Sequence, residues 1–150
     1  MSFLVISAQM GLFQVIYFFK TTLSRKIVIS TSIAETSVTI DDITRVIDTG
    51  LCKEAAFDDD VKANNLNRVW ISKANAVQRK GRAGRVAEGK LYRLYSRVRF
   101  NEIMNDFSTP AMVREALDSL ILRVCGMNLT SDPRDILRQC LDAPDEIVRY

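Results

Sequence analysis

The residues best suited to chemistry form one short run, Gln78 to Arg85 (QRKGRAGR), with four arginine or lysine side chains and two glycines. We call it the basic run. Unpaired cations are costly to bury, so such a run is poor material for a core. Guanidinium groups are planar, stay protonated and offer charge-assisted donors, which suits them to bind phosphate. On a helix, Gln78, Arg82 and Arg85 would share one face, while Arg79 and Lys80 would point elsewhere. The basic run predicts a phosphate contact, with a solvated basic helix end as the alternative.

A second polar segment precedes the basic run. Residues 31–41 (TSIAETSVTID) are rich in threonine and serine and end in an aspartate, and we call them the hydroxyl loop. Hydroxyls and loop amides can bind phosphate or ribose oxygens, and a carboxylate can accept hydrogen bonds from ribose hydroxyls. Alone such a loop is typical of a turn; beside the basic run it suggests a nucleotide or nucleic-acid site.

Short apolar runs predict the strands that position these segments. KIVIS (26–30) is typical of a buried strand, TRVID (44–48) predicts the next strand, and KLYRLY (90–95) alternates as strands do. Ser72 is a plausible N-cap for a helix that begins at Lys73. Strands followed by polar loops and helices predict an α/β sheet, in which ligands bind at the carboxyl ends of the strands.

The remaining segments predict a hairpin and further helices. Residues 51–57 could form one arm of a hairpin, residues 58–67 are turn-like, and residues 69–71 predict a brief strand. Thr109 and Pro110 predict the cap and first position of a helix that stops near Gly126. That helix would carry a 3.6-residue apolar stripe formed by Met112, Val113, Ala116, Leu117, Leu120, Ile121 and Val124. A short helix is expected over Arg134 to Leu141.

Residues 1–19 have no charged side chain. We favour a buried strand or helix that covers the sheet. A membrane or targeting segment is the second reading, although the polar residues inside the stretch and the lack of an initial positive charge weaken it. A disordered or mistranslated end is the third.

Charge is unevenly distributed, although the net charge is only +3. Residues 35–60 contain eight acids against two bases, and residues 78–99 contain eight bases against one acid. Such separation can attract an anion to one surface. The chain has no histidine, which excludes triads and metal sites that depend on it. The three scattered cysteines are expected to be reduced thiols in an intracellular protein, and no metal site is expected.

Together these segments resemble the DEAH-box (DEAH/RHA-type) ATP-dependent RNA helicases. STSIAETSVTI looks like the family's fifth motif, QRKGRAGR like its sixth, and WISKANAVQR like the connection between them. GKLYRLYS and STPAMVREALDSLIL are also similar to the family. The resemblance covers about Lys26 to Tyr150, and the apolar N-terminal segment, residues 1–25, has no counterpart that we identify.

The resemblance implies a fold and a domain order. Residues 26–107 would be part of the second RecA-like domain, a P-loop NTPase type of parallel sheet. The opening strands of that domain would be absent unless residues 1–19 replace one of them. Residues 108–150 would begin the winged-helix, helicase-associated region. Residues 51–69 would correspond to the family's strand-separating β-hairpin.

The resemblance also implies site residues. Gln78, Arg82 and Arg85 would reach the γ-phosphate of ATP, with the two arginines as arginine fingers. Thr39 and Asp41 would contact the ribose. Thr31 would hold an RNA phosphate.

The chain departs from the family in what it lacks. The sequence has neither a Gly-x-x-x-x-Gly-Lys-Ser/Thr phosphate loop nor an Asp-Glu-Ala-His box. Mg²⁺ would be held by the missing first RecA-like domain, so the chain resembles a fragment that alone should not hydrolyse ATP at a useful rate. Its enzymatic status stays open. The expected partners are RNA, ATP and a first RecA-like domain, in the nucleus or cytoplasm; a membrane is disfavoured. The alternatives are a non-catalytic nucleic-acid-binding or regulatory fragment and a membrane-tethered one.

Overall fold

The structure is a computed structural model that describes residues 2–8, 15–20, 25–36, 40–85, 88–127 and 132–143. The strands are β1 (Ser2–Ile6), β2 (Val15–Lys20), β3 (Arg25–Ser30), β4 (Arg45–Asp48), β5 (Leu51–Asp58), β6 (Ala63–Trp70) and β7 (Lys90–Arg93). The helices are α1 (Ile33–Thr36), α2 (Lys73–Gly81), α3 (Ala111–Arg114), α4 (Asp118–Gly126) and α5 (Pro133–Arg138), with a π-helical turn over Arg99–Ile103. This is the α/β architecture that the sequence predicts.

Five strands form a sheet in the order β2-β3-β1-β4-β7. β1 runs parallel to both neighbours, β4 runs parallel to β7, and β2 is antiparallel to β3. Ser30, Ile6, Asp48 and Arg93 lie in one register row across the four parallel strands. This row marks the carboxyl edge of the sheet, where α/β proteins place their ligands.

The first strand belongs to the middle of the sheet, whereas β2 forms one of its edges. Residues 1–19 were expected to cover it, yet β1 lies between β3 and β4 and buries Leu4 and Ile6. A central parallel strand is apolar because both of its faces are covered, which explains the lack of charge there. Among the described residues, no helix has the length and apolarity to cross a bilayer.

Two apolar clusters hold the sheet and its helices. The larger contains Leu4, Ile6, Val28, Ala34, Ile40, Ile43, Val46 and Ala83. The smaller contains Cys52, Ile71, Ala76 and Met104. The first buries the parallel strands against α1 and against Ala83, two residues after α2. The second packs α2 against the base of the hairpin.

β5 and β6 pair as a two-stranded sheet, so the hairpin predicted from residue 51 is confirmed. The predicted turn over 58–67 was too long, because β6 already begins at Ala63. Asp58 closes the short turn by accepting hydrogen bonds from the backbone of Asp60 (3.0 Å) and Val61 (3.3 Å). Lys62 follows with a positive φ of 55°. β6 is largely exposed, so it lacks the apolar alternation by which sequence patterns identify strands.

α2 follows its prediction, because Ser72 is the N-cap and accepts a hydrogen bond from the backbone N–H of Asn75. The single helix predicted after Thr109 is wrong. α3 begins at Ala111 with no side-chain cap, and the chain becomes extended at Glu115 before α4 starts. The backbone N–H of Ala116 donates to Oδ1 of Asn64 (2.8 Å), a bond that replaces a helical one. α5 spans Pro133–Arg138 rather than Arg134 to Leu141, with Asp132 as its N-cap.

The chain divides into two compact units. The first comprises residues 1–53 and 68–108 and contains the five-stranded sheet, α1 and α2. The second comprises residues 54–67 and 109–150 and contains the distal half of the hairpin with α3, α4 and α5. The candidate site residues that the structure describes all lie in the first unit.

Candidate functional site

The hydroxyl loop and the basic run lie together in the first unit. Thr31 follows the last residue of β3 and is buried, with 5% of its surface exposed. α1 follows it within the hydroxyl loop and packs beside α2, which carries the start of the basic run. Arg82 donates a hydrogen bond from Nη2 to the backbone carbonyl of Glu35, which joins the two segments directly.

The predicted shared face of Gln78, Arg82 and Arg85 is only partly correct. Helix α2 ends at Gly81, so Arg82 is its C-cap and Arg85 lies beyond the helix. Gln78 and Arg85 are exposed, and Arg82 is half-buried. Partial burial lowers the pKa of Arg82, and the nearby charge of Arg85 lowers it further. The two guanidiniums are therefore close enough to repel, although a regular helix does not align them.

The two residues expected at the ribose have different outcomes. Thr39 lies outside the described residues. Asp41 is exposed in a turn, next to Asp42, whose φ is 65°. The backbone carbonyl of Asp41 accepts a hydrogen bond from Nζ of Lys26 (3.1 Å), which connects this turn to the first residues of β3. The carboxylate of Asp41 faces solvent and is open to a ligand.

Arg79 differs from the other cations of the basic run because it is buried and paired with two acids. It was expected to point away from the face of Gln78, Arg82 and Arg85, and its side chain is fully buried. Its Nε donates to Oε2 of Glu35 (2.9 Å) and its Nη1 donates to Oδ1 of Asp48 (2.8 Å). Both Nη atoms also reach the carbonyl of Leu51 at 3.3 Å. The paired acids make burial of this cation tolerable, which the density of the run alone does not predict.

The Asp48 end of this network is closed by two further donors. The hydroxyl of Tyr95 donates to Oδ2 of Asp48 (2.9 Å), and the backbone N–H of Gly50 donates to Oδ1 (2.9 Å). Burial raises the pKa of Tyr95, and the neighbouring carboxylate raises it further, so the phenol stays protonated. Asp48 therefore connects the end of β4 to α2 and to the segment after β7.

The Glu35 end is closed by Asn75. The amide Nδ2 of Asn75 donates to Oε1 of Glu35, and its Oδ1 accepts from the hydroxyl of Ser108 (2.8 Å). Burial alone would lower the pKa of Arg79, but Asp48 and Glu35 outweigh it and raise that pKa, so the guanidinium remains charged. The Arg79 network therefore links α1, β4 and α2 one helical turn before Arg82.

The sequence contained only a weak signal for this network. Glu35 and Asp48 are acids in otherwise apolar or hydroxyl-rich segments; Glu35 follows the predicted strand KIVIS within a few residues, and Asp48 is the last residue of the predicted strand TRVID. Their pairing with Arg79 spans 44 and 31 residues, which local patterns do not reveal. As for metals, the described part of the chain has no cluster of acids or cysteines that could hold an ion.

Comparison with known proteins adds a family context. Residues 12–87 match the helicase conserved C-terminal domain, a range that begins inside the 1–25 segment for which the motifs gave no counterpart. The chain is 46% identical to the human ATP-dependent RNA helicase DHX29 over 120 residues, which cover 80% of this chain and 9% of that protein. It is 49% identical to the Bos taurus ATP-dependent DNA/RNA helicase DHX36 over 100 residues, covering 67% and 10% respectively. The chain thus spans about a tenth of the length of these relatives.

Solved structures give the same picture. The Escherichia coli DEAH/RHA helicase HrpB aligns with a TM-score of 0.76 and 25% identity, covering 89% of this chain and 20% of that one. A second structure from the same organism, the DExH-box NTPase HrpB, aligns with a TM-score of 0.64 and 32% identity, covering 71% and 13%.

Proposed function

This chain belongs to the helicase conserved C-terminal domain family, as part of a DEAH-box RNA helicase, and from that premise we propose that it supplies arginine fingers to ATP and contacts to RNA. The fold is the RecA-like α/β fold of that domain. ATP is the nucleotide of the family.

Arg82 and Arg85 are the proposed fingers. One observation carries this assignment: neighbouring arginines in one run take opposite roles. Arg79 is fully buried and paired with two carboxylates, whereas Arg85 is exposed and Arg82 is half-exposed. Exposed guanidiniums close to one another suit the charge spread over a transferring phosphoryl group, where such a finger is worth about 10³–10⁵ in rate. Gln78, exposed one turn before Arg82, is proposed to help orient the γ-phosphate.

The hydroxyl loop is proposed to serve the sugar and the RNA. Thr31 would hold an RNA phosphate at the carboxyl end of β3, and Thr39 and Asp41 would contact the ribose. The open carboxylate of Asp41 supports this role, because ribose hydroxyls are donors. The hydrogen bond from Arg82 to the Glu35 carbonyl would let the nucleotide site and the RNA site respond to each other.

The residues that the structure describes do not fit Mg²⁺, since they form no cluster of metal ligands. We propose that Mg²⁺, the phosphate loop and the attacking water belong to a first RecA-like domain in the full-length protein. The hairpin β5–β6 would separate strands, and the segment from about Thr109 would begin the winged helix. The working protein would act inside the cell, in the nucleus or cytoplasm.

The experiment follows the side-chain Nε–Hε signals of the arginines by NMR while ATP or ADP is added. The signals of Arg82 and Arg85 should shift more with ATP than with ADP, because only ATP carries the γ-phosphate. Arg79 is an internal control, since its buried Nε is bound to Glu35 and should not respond. Equal shifts of the Arg82 and Arg85 signals with both nucleotides, or no shift at millimolar nucleotide, would refute the arginine-finger assignment.

A non-catalytic nucleic-acid-binding or regulatory fragment is the second candidate, favoured by the lack of a phosphate loop in the sequence. RNA affinity that falls with salt, without ATP turnover, would support it. ATP turnover by this chain that requires Arg82 and Arg85 would refute it.

A further inference from the structure

A cleft of about 300 Å³ opens beside the end of β7, in the first unit. One of its lining residues, Arg93, is the last residue of β7 and stands in the register row with Ser30, Ile6 and Asp48 at the carboxyl edge of the sheet. We call it the Arg93 cleft. Its lining residues are Leu91, Arg93, Tyr95, Ser96, Arg97 and Phe100.

The guanidinium of Arg93 is held in this cleft by aromatic rings. Its Cζ lies 4.2 Å from the ring centroid of Phe100 and 5.8 Å from that of Tyr95. Among the described residues it has no ion pair, and its buried Nε has no hydrogen-bond partner. The rings orient the cation, but they offer no acceptor for its N–H groups. The guanidinium of Arg93 is therefore fixed in orientation, and within the described part of the chain it has no acidic partner and no acceptor for its Nε–H.

A second cation lies on the rim. Arg97 is exposed, and no acid in the described part of the chain pairs with it. Ser96 beside it adds an exposed hydroxyl. The cleft therefore combines two unpaired guanidiniums with a hydroxyl, a donor set that matches the oxygens of a phosphate.

We propose that the Arg93 cleft binds a backbone phosphate of a single RNA strand. The proposal rests on the proposed RNA contact at Thr31 and extends it. β3 and β7 are separated by three strand spacings along one edge, roughly 14 Å, a distance that a few nucleotides can span. One strand held at Thr31 would continue to Arg93 and Arg97. Inorganic phosphate or a free nucleotide offers the same oxygens, so the experiment must separate these sources.

The first measurement is the affinity of the whole chain for fluorescent single-stranded oligouridylate across a series of salt concentrations. Arg97→Gln should weaken binding by about 3–10-fold, and the slope of log K against log salt should become shallower by about 0.7, the loss of one phosphate contact. Arg123→Gln is the matched control, because it removes the same charge from an exposed residue of α4. Equal affinities and slopes for the two variants would overturn the proposal.

The second measurement needs no substitution. The Nε–Hε signal of Arg93 should shift when the oligonucleotide is added and should remain in place with inorganic phosphate or ATP at the same phosphate concentration. A shift with phosphate or ATP but not with RNA would show a free-anion site and overturn the RNA assignment. An Arg93 signal unmoved by all three would overturn the cleft as a phosphate site.

The outcome can be separated from that of the arginine-finger proposal. If Arg97→Gln loses RNA affinity while Arg82 and Arg85 still distinguish ATP from ADP, both proposals stand. If the Arg93 cleft fails and the Arg82 and Arg85 signals respond as expected, only the cleft is refuted.

Discussion

Arg79 donates a hydrogen bond from Nη1 to Oδ1 of Asp48 across 2.8 Å, and both side chains are fully buried. The same guanidinium reaches Glu35 at 2.9 Å, so one cation pairs with two acids from different segments. A buried ion pair is weak evidence for net stability, but breaking one from a single side is severe. The Arg79 network therefore acts to specify how α1, β4 and α2 are placed.

Replacing Arg79 with methionine should reveal this one-sided loss. Arg79→Met leaves Glu35 and Asp48 buried without their cation, and we expect the free energy of unfolding to fall by about 3–5 kcal/mol. Urea denaturation followed by the fluorescence of Trp70 measures it. Lys80→Met is the control on the same helix, where an exposed side chain should change stability by less than about 0.5 kcal/mol. Similar losses in both variants would argue against a special role for Arg79.

Tyr95→Phe should change the response to alkaline pH. At neutral pH the variant loses the hydrogen bond to Asp48 and should be about 1–3 kcal/mol less stable. The pKa of Tyr95 is raised above its usual 10.0 in the folded protein, so the unfolded chain releases this proton first. The unfolded state then holds fewer protons, and the free energy of unfolding falls as the pH rises above 10.

The stability difference between the natural chain and Tyr95→Phe should therefore be constant below pH 10 and shrink above it. Urea denaturation at a series of pH values gives this difference directly. A difference that stays constant, or grows, in alkaline solution would mean that Tyr95 is not protected from ionisation by folding.

Two candidate caps should behave differently. Ser72→Ala removes a hydroxyl that accepts from the backbone of Asn75 (3.2 Å) and should destabilise the fold by about 1 kcal/mol. Thr109→Ala should change stability by less than about 0.5 kcal/mol, because α3 begins without a side-chain cap. Thermal unfolding monitored by circular dichroism compares the two. An equal loss from Thr109→Ala would restore the cap that the sequence predicted there.

Gly50 is constrained from both the backbone and its surroundings. Its φ is +76°, and an added Cβ would lie 2.6 Å from Cδ1 of Tyr95. We expect Gly50→Ala to lower stability by about 2 kcal/mol or more, from left-handed strain and the collision with the ring. Gly81→Ala is the contrast, since its Cβ would meet nothing within 4 Å and helix propensity should gain about 0.5–1 kcal/mol. Chemical denaturation of both variants measures the two changes in the free energy of unfolding. A Gly50→Ala variant as stable as the natural chain would contradict the expected strain.

Local patterns were sufficient for the elements whose residues interact mostly with their sequence neighbours. The apolar runs of β3 and β4 and the Ser72 cap follow from short-range physics, and the structure agrees there. The position of β1 was harder to predict. A strand inside a sheet and a segment that covers the sheet are both apolar, so composition does not distinguish them. Only the pairing of β1 with β3 and β4 distinguishes the two.

The predictions that were wrong concern residues whose structure depends on contacts that are distant in sequence. Most of β6 is exposed, so the predicted brief strand over residues 69–71 covered only its last two residues, Val69 and Trp70. The helix after Thr109 is interrupted where Asn64, far away in sequence, bonds the backbone of Ala116. Within the candidate site, the chemistry of the basic run was readable, but the separation of Arg79 from Arg82 was not. Whether an arginine is buried depends on acids that only the folded chain brings near it.

The central position of β1 makes the fold depend on where translation starts. Translation that started at Met10 would preserve every motif from the hydroxyl loop onward, yet it would lack the strand between β3 and β4. Val28 and Val46 would lose the neighbours that bury them, and two pairs of strands would face each other with open edges. Such a product would carry all the sequence motifs of the domain and would still be prone to aggregation and proteolysis.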